Sequence, residues 1–130
     1  MKSTRIVRLI LAAMTAASSA RANDGVCAKE PRLAGPCFRL HGVMFAANGT
    51  PTFRIWRTGT KRILGVLDSE DPAMPKTLHE RMLRTGSGFD VRVSADFLVC
   101  PYARARKGRM QFVCIERASR VVITPLGRSR

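Results

Sequence analysis

The run from Phe89 to Val99 constrains the fold most. Phe89, Val91, Val93, Ala95, Phe97 and Val99 are apolar, and Asp90, Arg92, Ser94 and Asp96 stand between them. A period of two over this length is a strand with one buried and one solvated face, so the core must be made by a β-sheet. Earlier segments repeat the pattern. From Cys37, one row holds Phe38, Leu40, Met44 and Ala46, and the other holds Arg39, His41 and Val43. Gly42 interrupts the inner row, as expected where a strand bends sharply or bulges. Asn48-Gly49-Thr50-Pro51 reads as a turn. It is followed by a β-branched and aromatic strand over Thr52–Arg57, a short loop at Thr58-Gly59-Thr60, and a returning strand over Lys61–Val66. Ile55 and Ile63 are equidistant from Gly59, which predicts that they pair.

One helix interrupts the strands. Asp68, Asp71, Pro72 and Pro75 make 67–75 a loop, and Thr77 with Glu80 then matches a capping box. Leu78 and Met82 recur at i and i+4, and Gly86 supplies the stop. After the long strand, Tyr102–Arg109 is a basic loop, Met110–Ile123 a fifth strand, and 124–130 a tail expected to fray. The order β-β-β-α-β-β predicts a mainly β chain, a five-stranded OB-like Greek-key barrel with one short helix. In that fold the loops after strands one and four flank a binding face. A sandwich of hairpins with an isolated helix is the alternative. The barrel domain spans 37–123, behind a leader loop at 23–36.

Residues 1–22 read as an export signal rather than as part of the fold. Lys2, Arg5 and Arg8 precede an apolar run, and Ala20-Arg21-Ala22 suits cleavage before Asn23. The run is about 12 residues long, short of the roughly 20 that a spanning helix needs. Removal of this segment takes four bases and no acid, leaving 19 bases and 9 acids, hence +10 of the full chain's +14. The expected localisation is periplasmic or secreted.

Four cysteines in an exported chain of this size read as two disulfides. Nine residues separate Cys27 from Cys37 and thirteen separate Cys100 from Cys114, with no CxxC. No metal site is expected, because His41 and His79 fit no ligand spacing. Cys100 and Cys114 are symmetric about Lys107, which favours Cys27–Cys37 with Cys100–Cys114. The rival bridges Cys37 to Cys100, since in a closed barrel the first strand can run beside the fourth.

NGTPTFRIWRTGTKRILGV (48–66) and FLVCPYARARKGRMQFVCIERAS (97–119) together resemble a group of secreted bacterial proteins. The resemblance spans Cys37 to Val122, nearly all of the mature domain. It implies export and carries no catalytic residue over.

The candidate binding surface is basic and partly aromatic. Arg54, Trp56 and Arg57 precede Lys61 and Arg62 across a hairpin, and Arg104, Arg106, Lys107 and Arg109 crowd the loop after strand four. Guanidinium forks beside an indole suit phosphates, acidic sugars or carboxylates. The expected partners are an anionic oligosaccharide, an envelope lipid or an acidic protein. Nucleic acid fits poorly, because an exported chain meets little of it and one Trp with one Tyr is thin for base stacking. No cofactor is indicated and no enzyme is expected. A small hydrolase using His41 and a carboxylate ranks below a binding module and below a structural subunit of an envelope complex. Asp68, Glu70 and Asp71 read as a solvated acidic turn, Asp90 and Asp96 as partners of neighbouring arginines, and Asn48-Gly49-Thr50 as a turn rather than a glycosylation acceptor.

Overall fold

A computed structural model describes residues 25–30 and 32–127. The segment expected to be an export signal, the first leader residues and the last three residues lie outside the described residues. The strands are β1 (Phe38–Ala46), β2 (Phe53–Arg57), β3 (Ile63–Val66), β4 (Val91–Pro101) and β5 (Gln111–Pro125), with helix α1 at Lys76–Thr85. Short 3-10 turns occupy Val26–Lys29 and Gly88–Asp90. The sheet closes in the order β1-β2-β3-β5-β4, with β4 returning to β1. β3 and β5 run parallel and every other pair is antiparallel. This is the expected OB-like barrel. Closure removes the open edges that a five-stranded sheet would otherwise expose.

β1 makes the closure possible. Phe38–Met44 pairs with β4 and Gly42–Ala46 pairs with β2, so one strand serves two neighbours and must turn where they overlap. Gly42 sits at that overlap. A Cβ there would lie 2.7 Å from the Trp56 carbonyl oxygen and 2.8 Å from the Ile55 side chain. The inner rows of β1 and β4 alternate as read from the sequence, and Leu40, Met44, Val93 and Phe97 are buried in one core with Ile55 and Leu64. Leu78 and Met82 of α1 join that core. Among the described residues no helix is long and apolar enough to cross a membrane.

Several local expectations are corrected. Leu64, not Ile63, faces Ile55, and Ile63 faces Trp56. Arg57 N–H donates to the Arg62 carbonyl, so the hairpin loop is Thr58–Lys61 and its centre falls between Gly59 and Thr60. Adjacent apolar residues at 63 and 64 hid this one-residue shift, and burial selects Leu64. The capping box does not form. α1 begins one residue before Thr77, the Pro75 carbonyl accepts from Leu78 and His79, and Glu80 pairs with Lys76 instead. Phe89 lies in the second 3-10 turn and is exposed, not in the inner row of β4. Asp90 accepts from the Ser87 hydroxyl at 2.6 Å and has no arginine partner among the described residues. Asp68 is not merely solvated, since it accepts the Thr52 N–H at 2.6 Å and ties the 67–75 loop to the first turn. Thr124 and Pro125 stay paired with β4, and Leu126 N–H donates to the Asp90 carbonyl.

The disulfides are Cys27–Cys114 and Cys37–Cys100, with Cα separations of 5.7 and 4.0 Å. The favoured pairing is therefore overturned and its rival supplies one bond. The register explains why. Phe38 faces Val99, so Cys37 continues that ladder opposite Cys100, and Cys100 in turn faces Cys114. Three cysteines form one row across β1, β4 and β5. The leader crosses above this row and brings Cys27 onto Cys114, with Cys27 N–H donating to Glu116 at 2.9 Å. Two bonded pairs fit a chain that matures in an oxidising compartment.

Candidate functional site

Strand alternation sends Arg54 and Trp56 outward from β2 and Ile63 outward from β3. Across the sheet, Val43, Trp56 and Ile63 form one outer row and Phe45, Arg54, Gly65 and Phe112 the next. Trp56 and Ile63 keep 40% and 38% of their surface exposed, leaving an apolar step on a basic face. The indole is held in place: Trp56 Nε1–H donates to the Thr60 carbonyl at 2.7 Å. The Thr60 hydroxyl closes the hairpin by donating to the Arg57 carbonyl at 2.8 Å and accepting from Arg62 N–H at 3.0 Å.

The 102–110 loop folds against this hairpin. Lys61, Arg62, Arg106, Lys107 and Arg109 line a groove of about 510 Å³ together with Ile63 and Met110, and no acid among the described residues lines it. Arg104 belongs to an adjoining cleft with Arg106, Arg109 and Phe112. Gln111, buried where β5 starts, joins the two segments. Its Oε1 accepts from the Arg62 guanidinium, and its Nε2 donates to the Ala103 carbonyl at 2.8 Å.

Two expected residues stand apart from the groove. Arg54 Nε and Nη2 donate to the carbonyls of Pro51 and Asn48 at 3.3 and 3.4 Å, so its guanidinium turns toward the 48–51 turn. Arg57 faces Gly42 in the ladder and lies on the opposite side of the sheet from Trp56, at the barrel rim. The structure thus brings seven of the nine expected basic and aromatic residues to one outer region, of which five line the groove. Gln111, Ile63 and Met110 were not anticipated. The signal for Gln111 was a lone amide opening an otherwise apolar strand.

A second polar cluster lies on the outer face of β1, β4 and β5. His41 faces Asp96, and Asp96 faces Ser119. His41 Nδ1 donates to Asp96 Oδ1 at 2.8 Å, and the Arg120 guanidinium holds Oδ2. The His41 hydrogen bond, then the Arg120 one, lowers the Asp96 carboxyl below its ordinary value of 3.8. Arg120 is the only non-glycine residue with positive φ among the described residues, at 50°. It sits where the β4–β5 register slips between Ser94 and Asp96, a bulge that re-aims its side chain. Holding an arginine in this region costs about 1–2 kcal/mol.

A larger cleft of about 720 Å³ separates α1 from the leader, but its wall mixes Glu30, Asp71 and Glu80 with Arg32 and Lys76. Tyr102 borders it, its phenol pushed up to about 12 by burial and by the Glu30 carboxylate. His79 packs edge-to-face on Phe53, with ring centroids 5.9 Å apart, in a structural role. Cys27, Cys100 and Glu116 approach within 4.8 Å of one another. Both sulfurs are spent in disulfides and offer no thiolate to a metal. Comparison with known families, curated proteins and solved structures finds no match to this chain.

Proposed function

We propose that the chain is an exported binding module that takes an acidic oligosaccharide across the β2–β3 face and the 102–110 loop. The observation that carries this reading is the groove of about 510 Å³, where five cationic side chains from two segments meet with no acid among them. Cations on separate backbone segments have no local reason to converge, and each adds to the repulsion felt by the others. An acidic ligand relieves that repulsion. The exposed Trp56 and Ile63 add flat apolar area of the kind that packs on sugar rings. OB barrels use the same strands and the loop after strand four for oligosaccharides and oligonucleotides. The disulfides support the oxidising, exported setting of the reading, in which a periplasmic or secreted chain meets envelope glycans rather than nucleic acid.

The test is binding to an immobilised polyuronate across a salt series. Lys61→Gln with Arg106→Gln should weaken capture at least tenfold, about 1.4 kcal/mol, and Trp56→Ala should weaken it at every salt concentration. Arg84→Gln with Arg92→Gln, exposed cations away from the groove, should leave it within twofold. Equal losses from both pairs would reduce the surface to unspecific charge. Capture of anionic vesicles or of an acidic protein in place of the polyuronate would reassign the ligand class.

A further inference from the structure

The outer face of β1, β4 and β5 carries a second, differently built site. Arg39, Leu98 and Arg117 form one row across the three strands, and His41, Asp96 and Ser119 form the next. These residues line a groove of about 440 Å³. Arg39 and Arg117 flank Leu98 from either side, roughly 10 Å apart at the backbone by the ordinary strand spacing.

Asp96 is the obvious partner for both. It is their diagonal neighbour on β4, at a distance long side chains bridge readily. Yet its oxygens accept from other groups, Oδ1 from His41 and Oδ2 from Arg120, and neither Arg39 nor Arg117 pairs with it. Arg120 reaches Asp96 from a left-handed bulge, a conformation uncommon for an arginine. The one carboxylate in the groove is therefore compensated by an exposed residue outside the row. Among the described residues, Arg39 and Arg117 have no acidic partner. The result is two guanidinium groups without an acidic partner, one on either side of Leu98, lining a single groove with Ser119.

We propose that this groove binds a phosphoryl group, gripped between Arg39 and Arg117. Two forks present four N–H donors from two directions. A planar carboxylate satisfies one fork, whereas a phosphate monoester points three oxygens outward and satisfies both. Leu98 beneath excludes water from one side of the contact. The site is built by β1, β4 and β5, shares no lining residue with the β2–β3 groove, and does not rest on the glycan reading.

The test follows amide and arginine Nε–H resonances of the labelled chain on titration with inorganic phosphate. Saturable shifts are expected at Arg39, Asp96, Leu98, Arg117 and Ser119. Acetate should bind at least tenfold more weakly, and Arg39→Gln with Arg117→Gln should weaken phosphate binding at least tenfold. Lys61→Gln with Arg106→Gln should leave these shifts unchanged, so failure here and failure of the polyuronate test are separate results. Glycerol 3-phosphate and vesicles containing phosphatidic acid then identify the source. A tighter soluble monoester means a soluble ligand, tighter vesicles mean a lipid headgroup, and neither means free phosphate. No saturable shift at these residues, an equal response to acetate, or an unaffected double arginine variant would overturn the proposal.

Discussion

The two basic faces of this barrel are made of the same residue types and are organised in opposite ways. On the β2–β3 side, the cations meet only neutral partners: Arg54 donates to two carbonyls and Arg62 to the Gln111 amide. On the β1–β4–β5 side, the polar groups are arranged around one carboxylate, with Arg120 brought in by a backbone bulge to compensate it. The first face is a field of charge drawn partly from an exposed loop, suited to a long ligand with many weak contacts. The second is drawn from three paired strands, which fix side-chain spacing and suit a small group of defined geometry. Composition alone makes the two look alike; the number of strands beneath each cation separates them.

The largest test of this contrast concerns the staple. Cys37–Cys100 clamps β1 to β4 two ladder steps from the Arg39–Leu98 pair, while neither disulfide crosses β2 or β3. Replacing Cys37 and Cys100 by serine should cost about 2–5 kcal/mol of stability, measured by urea unfolding. Hydrogen exchange should quicken first around Arg39 and Leu98. Equal quickening at Ile55 and Leu64 would mean that the two faces open as one unit.

A smaller effect is expected from Gln111→Ala. Removing this buried amide leaves the Ala103 carbonyl and the Arg62 guanidinium without their partner, at a cost of about 1–3 kcal/mol. Resonances of the 102–110 loop should shift while those of His41, Asp96 and Arg120 stay in place. Movement of both groups would show that the faces are coupled through β5.

The smallest effect should come from Asp96→Asn, read against pH. The carboxyl is held below 3.8 in the folded chain, by His41 first and Arg120 second. Its contribution is therefore complete above that value and is lost as pH falls through the lowered folded value. The difference in unfolding free energy between parent and variant should be constant at neutral pH and shrink below about pH 4. Salt should reduce it too, because the cluster is exposed. A difference that does not shrink as the pH is lowered would assign Asp96 a role in packing rather than charge.

Much of the architecture was legible because it rests on burial. Period-two alternation located β1 and β4, and Gly42 marked the bend before any partner strand was known. The convergence of the hairpin and the 102–110 loop followed from the barrel order, because β3 lies beside the start of β5. Finer details depended on competition between equivalent local choices. Ile63 and Leu64 are both apolar, and only the length of the loop and the space inside the barrel chose between them. Thr77 could cap a helix, but Pro75 starts the helix a residue sooner. Arg54 and Arg57 look alike in sequence, yet strand parity separates Arg57 from the outer face, and nearby carbonyls claim Arg54.

By itself the sequence determined the sheet-forming segments, the single helix, the order that closes a barrel, and a charge concentrated in two stretches. Hydrophobic periodicity and chain order are local properties, and they persist whatever the segments later touch. Tertiary structure alone decided the disulfide partners, the burial of Gln111 as a link between segments, and the pairing of Asp96 with His41 and Arg120. These join residues far apart in the chain, up to 87 positions for the Cys27–Cys114 disulfide. Such contacts depend on strand register, and register is known only once the barrel has closed.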